Sequence, residues 1–216
     1  MILLALFLCP MLVSCHGSLR EPPARNVLAD SNFCPDCLNA GGVSVVYGRG
    51  HAHPGRYGVC GDPWNAPRDH EAGGRFARGR IARTYTSGQT ITLQLGFSAN
   101  HMGRMMFKLC VLPDGISVSR ERALTTQSCF DKHVLVRQDH RAYSFLKKNV
   151  DTMLVEYRLP KNVTCRHCVL QWSWDTGNSC CPAHTPRRYC APGVETCFKD
   201  TVPEQWWNCA DIRIVN

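Results

Sequence analysis

CVLQWSW, residues 168–174, is the stretch whose reading decides the fold class. Trp172 and Trp174 stand two apart, the spacing that sends both side chains to one face of an extended strand, and a core face is the expected home for two indoles. Working outward, GQTITLQLGF (88–97), RMMFKLCVL (104–112), MLVEYRLP (153–160) and NCADIRIV (208–215) show the same alternating or β-branched character, bounded by Gly, Pro and Asn. Helical periodicity is scarce. The spacing and turn chemistry predict an all-β chain folded as an antiparallel β-sandwich. Residues 26–75, rich in Gly, Pro and Asn and without clear periodicity, predict a long loop region pinned by disulfides. Loops of that length in a compact domain are usually functional.

The chain opens with MILLALFLCPMLVSC, residues 1–15. Its apolar run from Ile2 to Leu8, Pro10 and the modest residues Val13, Ser14 and Cys15 predict a secretory signal cut after Cys15, although the usual basic start is missing. The run is far short of the roughly 20 residues that span a bilayer, so no membrane association is expected. Residues 16–216 hold no linker or internal repeat and predict one domain, expected to be an extracellular monomer. Two of the 14 cysteines leave with the signal. Cys34, Cys37, Cys60, Cys110, Cys129, Cys165, Cys168, Cys180, Cys181, Cys190, Cys197 and Cys209 remain, an even, high count that predicts a disulfide framework whose pairing the sequence leaves open. Asn162-Val163-Thr164 is an acceptor for N-glycosylation. The net charge of +8 is spread without a sustained basic helix, which speaks against nucleic acid and leaves anionic matrix or glycan as an attracted partner.

A cut after Cys15 makes His16 the terminal residue. Its free amine and ring nitrogen then close one chelate ring on a metal, so one residue supplies two ligands. A second imidazole opposite completes a T-shaped set of three nitrogens, which suits copper far better than magnesium or calcium. His101, in a short loop between two predicted strands, is the residue expected to supply it.

Five motifs occur in order: HGSLREPPAR (16–25), CGDPW with EAGGRFARGRIARTYTSGQTI (60–64, 71–91), SANHMG (98–103), CVLQWSWDTGNSC (168–180) and WWNCADIRI (206–214). Together they resemble the lytic polysaccharide monooxygenases, most closely the invertebrate type known as auxiliary-activity family fifteen. The resemblance implies an immunoglobulin- or fibronectin-like sandwich and a secreted copper enzyme. Copper would be held by the amine and ring of His16 and by His101, with Ala99 crowding the open metal face. Gln171 would approach the bound oxidant, and Trp206, five residues before Asp211, would take the axial position where the family has phenylalanine or tyrosine. The implied partners are insoluble chitin, or else cellulose, an external electron donor, and hydrogen peroxide or dioxygen; the implied reaction is hydroxylation at C1 or C4 of the glycosidic linkage. The rival readings are a chitin-binding module that does not oxidise and a protein that stores or delivers copper.

His51 and His53 in YGRGHAHPGRYG (47–58) have the spacing that puts two rings on one side of an extended strand; the favoured reading is a Gly-rich loop exposing polar rings, and a second metal site is the alternative. Tyr47, Tyr57 and Trp64, in the same variable region, would either stack on sugar rings or pack beneath the loop. Cys34-Pro35-Asp36-Cys37 and Cys165-Arg166-His167-Cys168 have zinc spacing, but the secreted context and eight further cysteines favour structural disulfides.

Overall fold

The computed structural model describes residues 16–29, 34–52, 55–198 and 201–216. The predicted leader and His53 lie outside them. The described strands, in chain order, are β1 (Ser18–Glu21), β2 (Arg83–Thr86), β3 (Thr90–Gly96), β4 (Gly103–Val111), β5 (Ser144–Leu146), β6 (Thr152–Arg158), β7 (Cys165–Asp175) and β8 (Gln205–Val215). They form a three-stranded sheet in the order β1-β3-β6 and a five-stranded sheet in the order β2-β8-β7-β4-β5. The expected antiparallel sandwich forms, with one parallel pair in it, β2 beside β8. Parallel neighbours need a long crossover. Residues 87–204, more than half of the domain, lie between these two strands.

The five predicted strands all form, and β7 and β8 each begin three residues earlier than the apolar pattern suggests. Three short helices lie between the strands, α1 (Val43–Tyr47) inside the predicted loop region, and α2 (Val118–Leu124) and α3 (Gln127–Phe130) after β4. Each is too short to register a 3.6-residue period. Side-chain caps mark two of their starts, with Ser117 Oγ accepting from Arg120 N and Thr126 Oγ1 accepting from Cys129 N.

The main core lies between the sheets. Ile91, Leu93, Leu95 and Tyr157 from one face meet Phe107, Leu170, Trp172, Trp174 and Trp206 from the other. Trp172 and Trp174 are fully buried, as their spacing predicts. The central strand β7 is buried on its other face as well. There Phe130 and Val169 pack around Cys60 and Cys209, and Ala40, Val46 and Trp207 form a further cluster. The long region 26–75 thus roofs the outer face of the larger sheet.

Six disulfides use all twelve cysteines: Cys34–Cys37, Cys60–Cys209, Cys110–Cys129, Cys165–Cys168, Cys180–Cys197 and Cys181–Cys190. Both CxxC pairs close on themselves, the structural reading rather than the zinc one. Cys60–Cys209 fastens the roof to β8 across a sequence separation of 149. Closing a loop of that order stabilises a fold by about 4–5 kcal/mol in the chain-entropy account.

A buried ion pair reinforces the same junction. Arg25 donates to both carboxylate oxygens of Asp211, at 2.9 and 2.5 Å, and to the His70 carbonyl at 2.7 Å. His167 Nε2 lies 2.8 Å from Asp211 Oδ1. Burial pushes the Asp211 carboxyl upward, but Arg25 and His167 more than offset it and hold the group at about 2. A folded value below the ordinary carboxylate range means that the stabilisation is complete above about pH 4 and is lost as pH falls through about 2. Denaturant midpoints measured from pH 6 to pH 2 should therefore drop steeply below pH 4. Asp211→Asn should flatten that slope and cost about 3–5 kcal/mol at neutral pH, since it removes the bidentate partner of the buried Arg25 and leaves only Glu121, 3.6 Å away.

Candidate metal centre

His16 sits where three segments converge. Its backbone N–H donates to the Asp36 carbonyl at 3.1 Å, and its own carbonyl accepts from Ser98 N at 3.1 Å and Ala99 N at 3.3 Å. Asp36 belongs to the small loop closed by Cys34–Cys37, and its carboxylate is held by Ser18 Oγ at 2.5 Å and Arg20 Nη2 at 2.7 Å. The loop of Ala99 and His101, between β3 and β4, is fixed as firmly. Asn100 Nδ2 donates to the carbonyls of Lys147 and Val150, and the His101 carbonyl accepts from Gly177 N at 2.8 Å. Gly103 ends the loop at φ +98°, where a Cβ would overlap the Asp175 carbonyl oxygen.

These anchors set the two imidazoles edge to face. Their centroids are 4.5 Å apart and their planes meet at 85°. Trp206 stacks on His16 at 4.5 Å and stands edge-on to His101 at 6.2 Å, with its indole N–H donating to the Asp36 carbonyl at 3.1 Å. One carbonyl therefore aligns both the His16 backbone and the ring beneath it. Trp206 is fully buried, whereas the two histidines are half-buried.

Glu204 completes the cluster. Ligand-capable atoms of His16, His101 and Glu204 all lie within 4.8 Å of one another. Its carboxylate accepts from Asn39 Nδ2 at 3.1 Å, and its carbonyl accepts from Thr176 N at 3.0 Å. Burial, then the neighbouring His16, lowers the pKa of His101 against the opposing pull of Glu204. The neutral imidazole so favoured is the form that binds metal. His101 Nδ1 is buried without a hydrogen-bond partner. Two crossed imidazoles, a carboxylate and an orphaned ring nitrogen fit a transition metal such as copper.

Among the sequence-predicted residues, His16, His101, Ala99 and Trp206 come together here. Gln171 does not, and its expected approach to the oxidant is corrected. Residues alternate across β7, so Gln171 faces away from Trp172 and Trp174, onto the roofed side of the sheet. Its amide donates to the Val59 carbonyl at 2.8 Å and to Gln127 Oε1 at 3.1 Å, and it is buried. Tyr47 and Tyr57 follow the packing alternative rather than the sugar-stacking one. Tyr57 lies flat on Trp207 at 4.2 Å, and Tyr47 donates to Gln205 Oε1 at 2.7 Å with its hydroxyl pushed up to about 12, chiefly by burial. Trp64 is more open, 37% exposed, beneath the Arg56 guanidinium. His51 ends a short 3-10 turn, Arg49–His51, in the roof. Asn162 is exposed at φ +61°, on the turn leading into β7, and its side chain is open to glycosylation.

The sequence reading missed Glu204 and Asp36. Period-two counting back from Trp206 reaches Glu204, so the strand pattern carried that signal. No local pattern distinguishes Asp36, which acts through its backbone carbonyl.

The chain matches the family model described as lytic polysaccharide mono-oxygenase, cellulose-degrading, over residues 16–212. It is similar to the auxiliary-activity family fifteen lytic polysaccharide monooxygenase from Thermobia domestica in the Cu(I) state, at 33% identity and a TM-score of 0.73, with 92% of this chain and 98% of that chain covered. A chitin binding domain from Burkholderia pseudomallei aligns at 14% identity and a TM-score of 0.46, covering 93% of this chain and 99% of that one. The cellulose-active monooxygenase CelS2 in complex with copper aligns at 15% and 0.49, covering 92% and 98%. No curated protein matches the chain.

Proposed function

Because the chain belongs to the lytic polysaccharide mono-oxygenase family, whose cofactor is copper, we propose that it is secreted, cut after Cys15, and oxidises crystalline chitin first and cellulose second. The observation that carries this reading is the perpendicular pair of His16 and His101, 4.5 Å apart. His16 would hold copper through its freed amine and ring, and His101 through its ring. When bound, copper supplies the one-electron chemistry by which an external donor and hydrogen peroxide or dioxygen bring about removal of hydrogen from a carbon of the glycosidic linkage. Asp36 orients His16 through its carbonyl, Ala99 narrows the open side, and Trp206 closes the inner side against water. Chitin precedes cellulose because the motif set resembles the invertebrate type.

The direct test uses copper-loaded chain beginning at His16, incubated with crystalline chitin and with cellulose, with and without ascorbate. Mass spectrometry should find oxidised oligosaccharides only where ascorbate is present. Copper binding with no oxidised product from either polymer would favour the storage or binding-module reading.

Two variants separate the roles around the metal. Glu204 is the acid closest to both rings, and we assign it to holding and moving a proton there. Glu204→Gln should lower turnover by about 10²-fold, the lower range for a lost acid-base group, while copper affinity changes less than tenfold. A larger fall in affinity would make Glu204 a metal ligand instead. Trp206→Phe should alter the copper electron paramagnetic resonance spectrum and Trp207→Phe should not, because Trp207 packs on the opposite face against Tyr57. Identical spectra for Trp206→Phe and the unaltered chain would remove Trp206 from the metal's surroundings.

A further inference from the structure

Beside the histidine pair runs an open groove of about 610 Å³, lined among others by Met102, Lys148, Arg187, Arg188 and Glu195. Met102 follows His101 directly. The groove's walls are tied to the same loop. Asn100 clasps the turn that carries Lys148, through the carbonyls on either side of it. The opposite wall hangs from His101 by two hydrogen bonds, Gly177 N to the His101 carbonyl and Ala191 N to the Gly177 carbonyl, at 2.8 and 2.7 Å. Cys181–Cys190 and Cys180–Cys197 brace that wall.

Three cations therefore line a groove whose backbone is anchored to the His101 loop, against one acid, Glu195. None of the three forms an ion pair among the described residues. Arg187 is oriented by the Val194 carbonyl and Thr196 Oγ1 at 2.5 and 3.1 Å, and Arg188 lies over the Tyr189 ring at 5.1 Å. Neutral chitin or cellulose gives such charges nothing to pair with. Exposed cations that outnumber the single acid and form no ion pair, beside a face read as polysaccharide-binding, match an anionic ligand.

We propose that this groove binds a sugar carboxylate, so that the enzyme prefers polysaccharide chains carrying acidic groups close to the point of attack. The proposal rests on the polysaccharide-oxidising reading of the adjacent centre. A carboxylate can reach the groove from two sources: a uronate within the polymer, or the aldonate end left when C1 oxidation gives a lactone that water opens. The second source would hold the enzyme at bonds it has already cut.

The test measures binding of the chain beginning at His16 to oligogalacturonate, to an aldonate-ended chitin oligosaccharide, and to the neutral chitin oligosaccharide of equal length. At least one carboxylated probe should bind about tenfold more tightly than the neutral one, the gain of one charge-assisted contact. Which probe gains identifies the source. Lys148→Ala and Arg188→Ala should each remove most of the gain, and Arg188→Glu should abolish it. Arg187→Ala is less informative because it also releases the loop. Arg78→Ser with Arg80→Ser, lower on the sheet beside Asp211, should leave the gain intact. Equal binding of all three probes, or equal loss in that distant pair, would overturn the groove. The same titrations on copper-free His101→Ala separate the two ideas. Persistent carboxylate binding there, with no oxidised product from the unaltered enzyme, sinks the oxidative reading alone; oxidised chitin without carboxylate preference sinks the groove alone.

Discussion

A chain carrying one glycine before His16 should lose copper affinity by more than about 100-fold and yield no oxidised oligosaccharide. The expected loss exceeds the 10–100-fold typical of removing a mere supporting hydrogen bond, because a ligand atom itself disappears. In the processed chain the nitrogen of His16 is an amine with a free lone pair. Once acylated, that lone pair is delocalised into the peptide carbonyl, and the nitrogen donates poorly to a metal. Nothing else need change. The N–H of residue 16 reaches the Asp36 carbonyl at 3.1 Å, a bond that a peptide N–H donates as well as an amine does, so the extra residue preserves the anchor and the ring stack on Trp206. Metal-free melting temperatures of the two forms should agree, which separates lost ligation from lost fold. Equal copper affinity in the glycine-extended chain would show that the terminal amine is no ligand, leaving two imidazoles and Glu204 as the donor set.

That alternative has chemical substance, since two histidines and one carboxylate are also the donor set of non-haem iron centres. Its existence shows where sequence reading stops. The strands were legible because β-branched and aromatic residues alternate with a period of two, and Trp172 and Trp174 fell on the predicted core face. His16 and His101 were singled out by the five ordered motifs around them, since a histidine at a cut site or in a loop carries little signal by itself. Gln171 was misplaced for a physical reason. A strand buried on both faces, as β7 is, shows no polar side from which orientation can be read. The roof that buries it comes from residues 26–75, whose cover depends on Cys60–Cys209 and on the Arg25–Asp211 pair, contacts between positions far apart in the chain. Asp36 was invisible for a related reason, because it orients the site with a main-chain oxygen that every residue type possesses.

His101→Ala should abolish oxidation while leaving the metal-free fold close to intact. The ring is only half-buried, and its loop is held by backbone and Asn100 contacts that the substitution spares: the Gly177 N–H on the residue 101 carbonyl and the Asn100 amide on Lys147 and Val150. A stability change below about 1.5 kcal/mol is therefore expected, smaller than the roughly 3–5 kcal/mol for truncating a fully buried ring such as Trp206. Copper should fall back on the amine and ring of His16, a two-nitrogen chelate, with Glu204 near enough to substitute an oxygen for the missing imidazole. The electron paramagnetic resonance spectrum would then report fewer nitrogen donors. Added imidazole, of a size to enter the space vacated by the His101 ring, should restore part of the spectrum and part of the turnover. Retention on crystalline chitin should drop little, because the rest of the face is untouched. Undiminished oxidation by His101→Ala would mean that another imidazole completes the centre, and His51, which ends the short 3-10 turn Arg49–His51 within the roof, would be the next residue to replace.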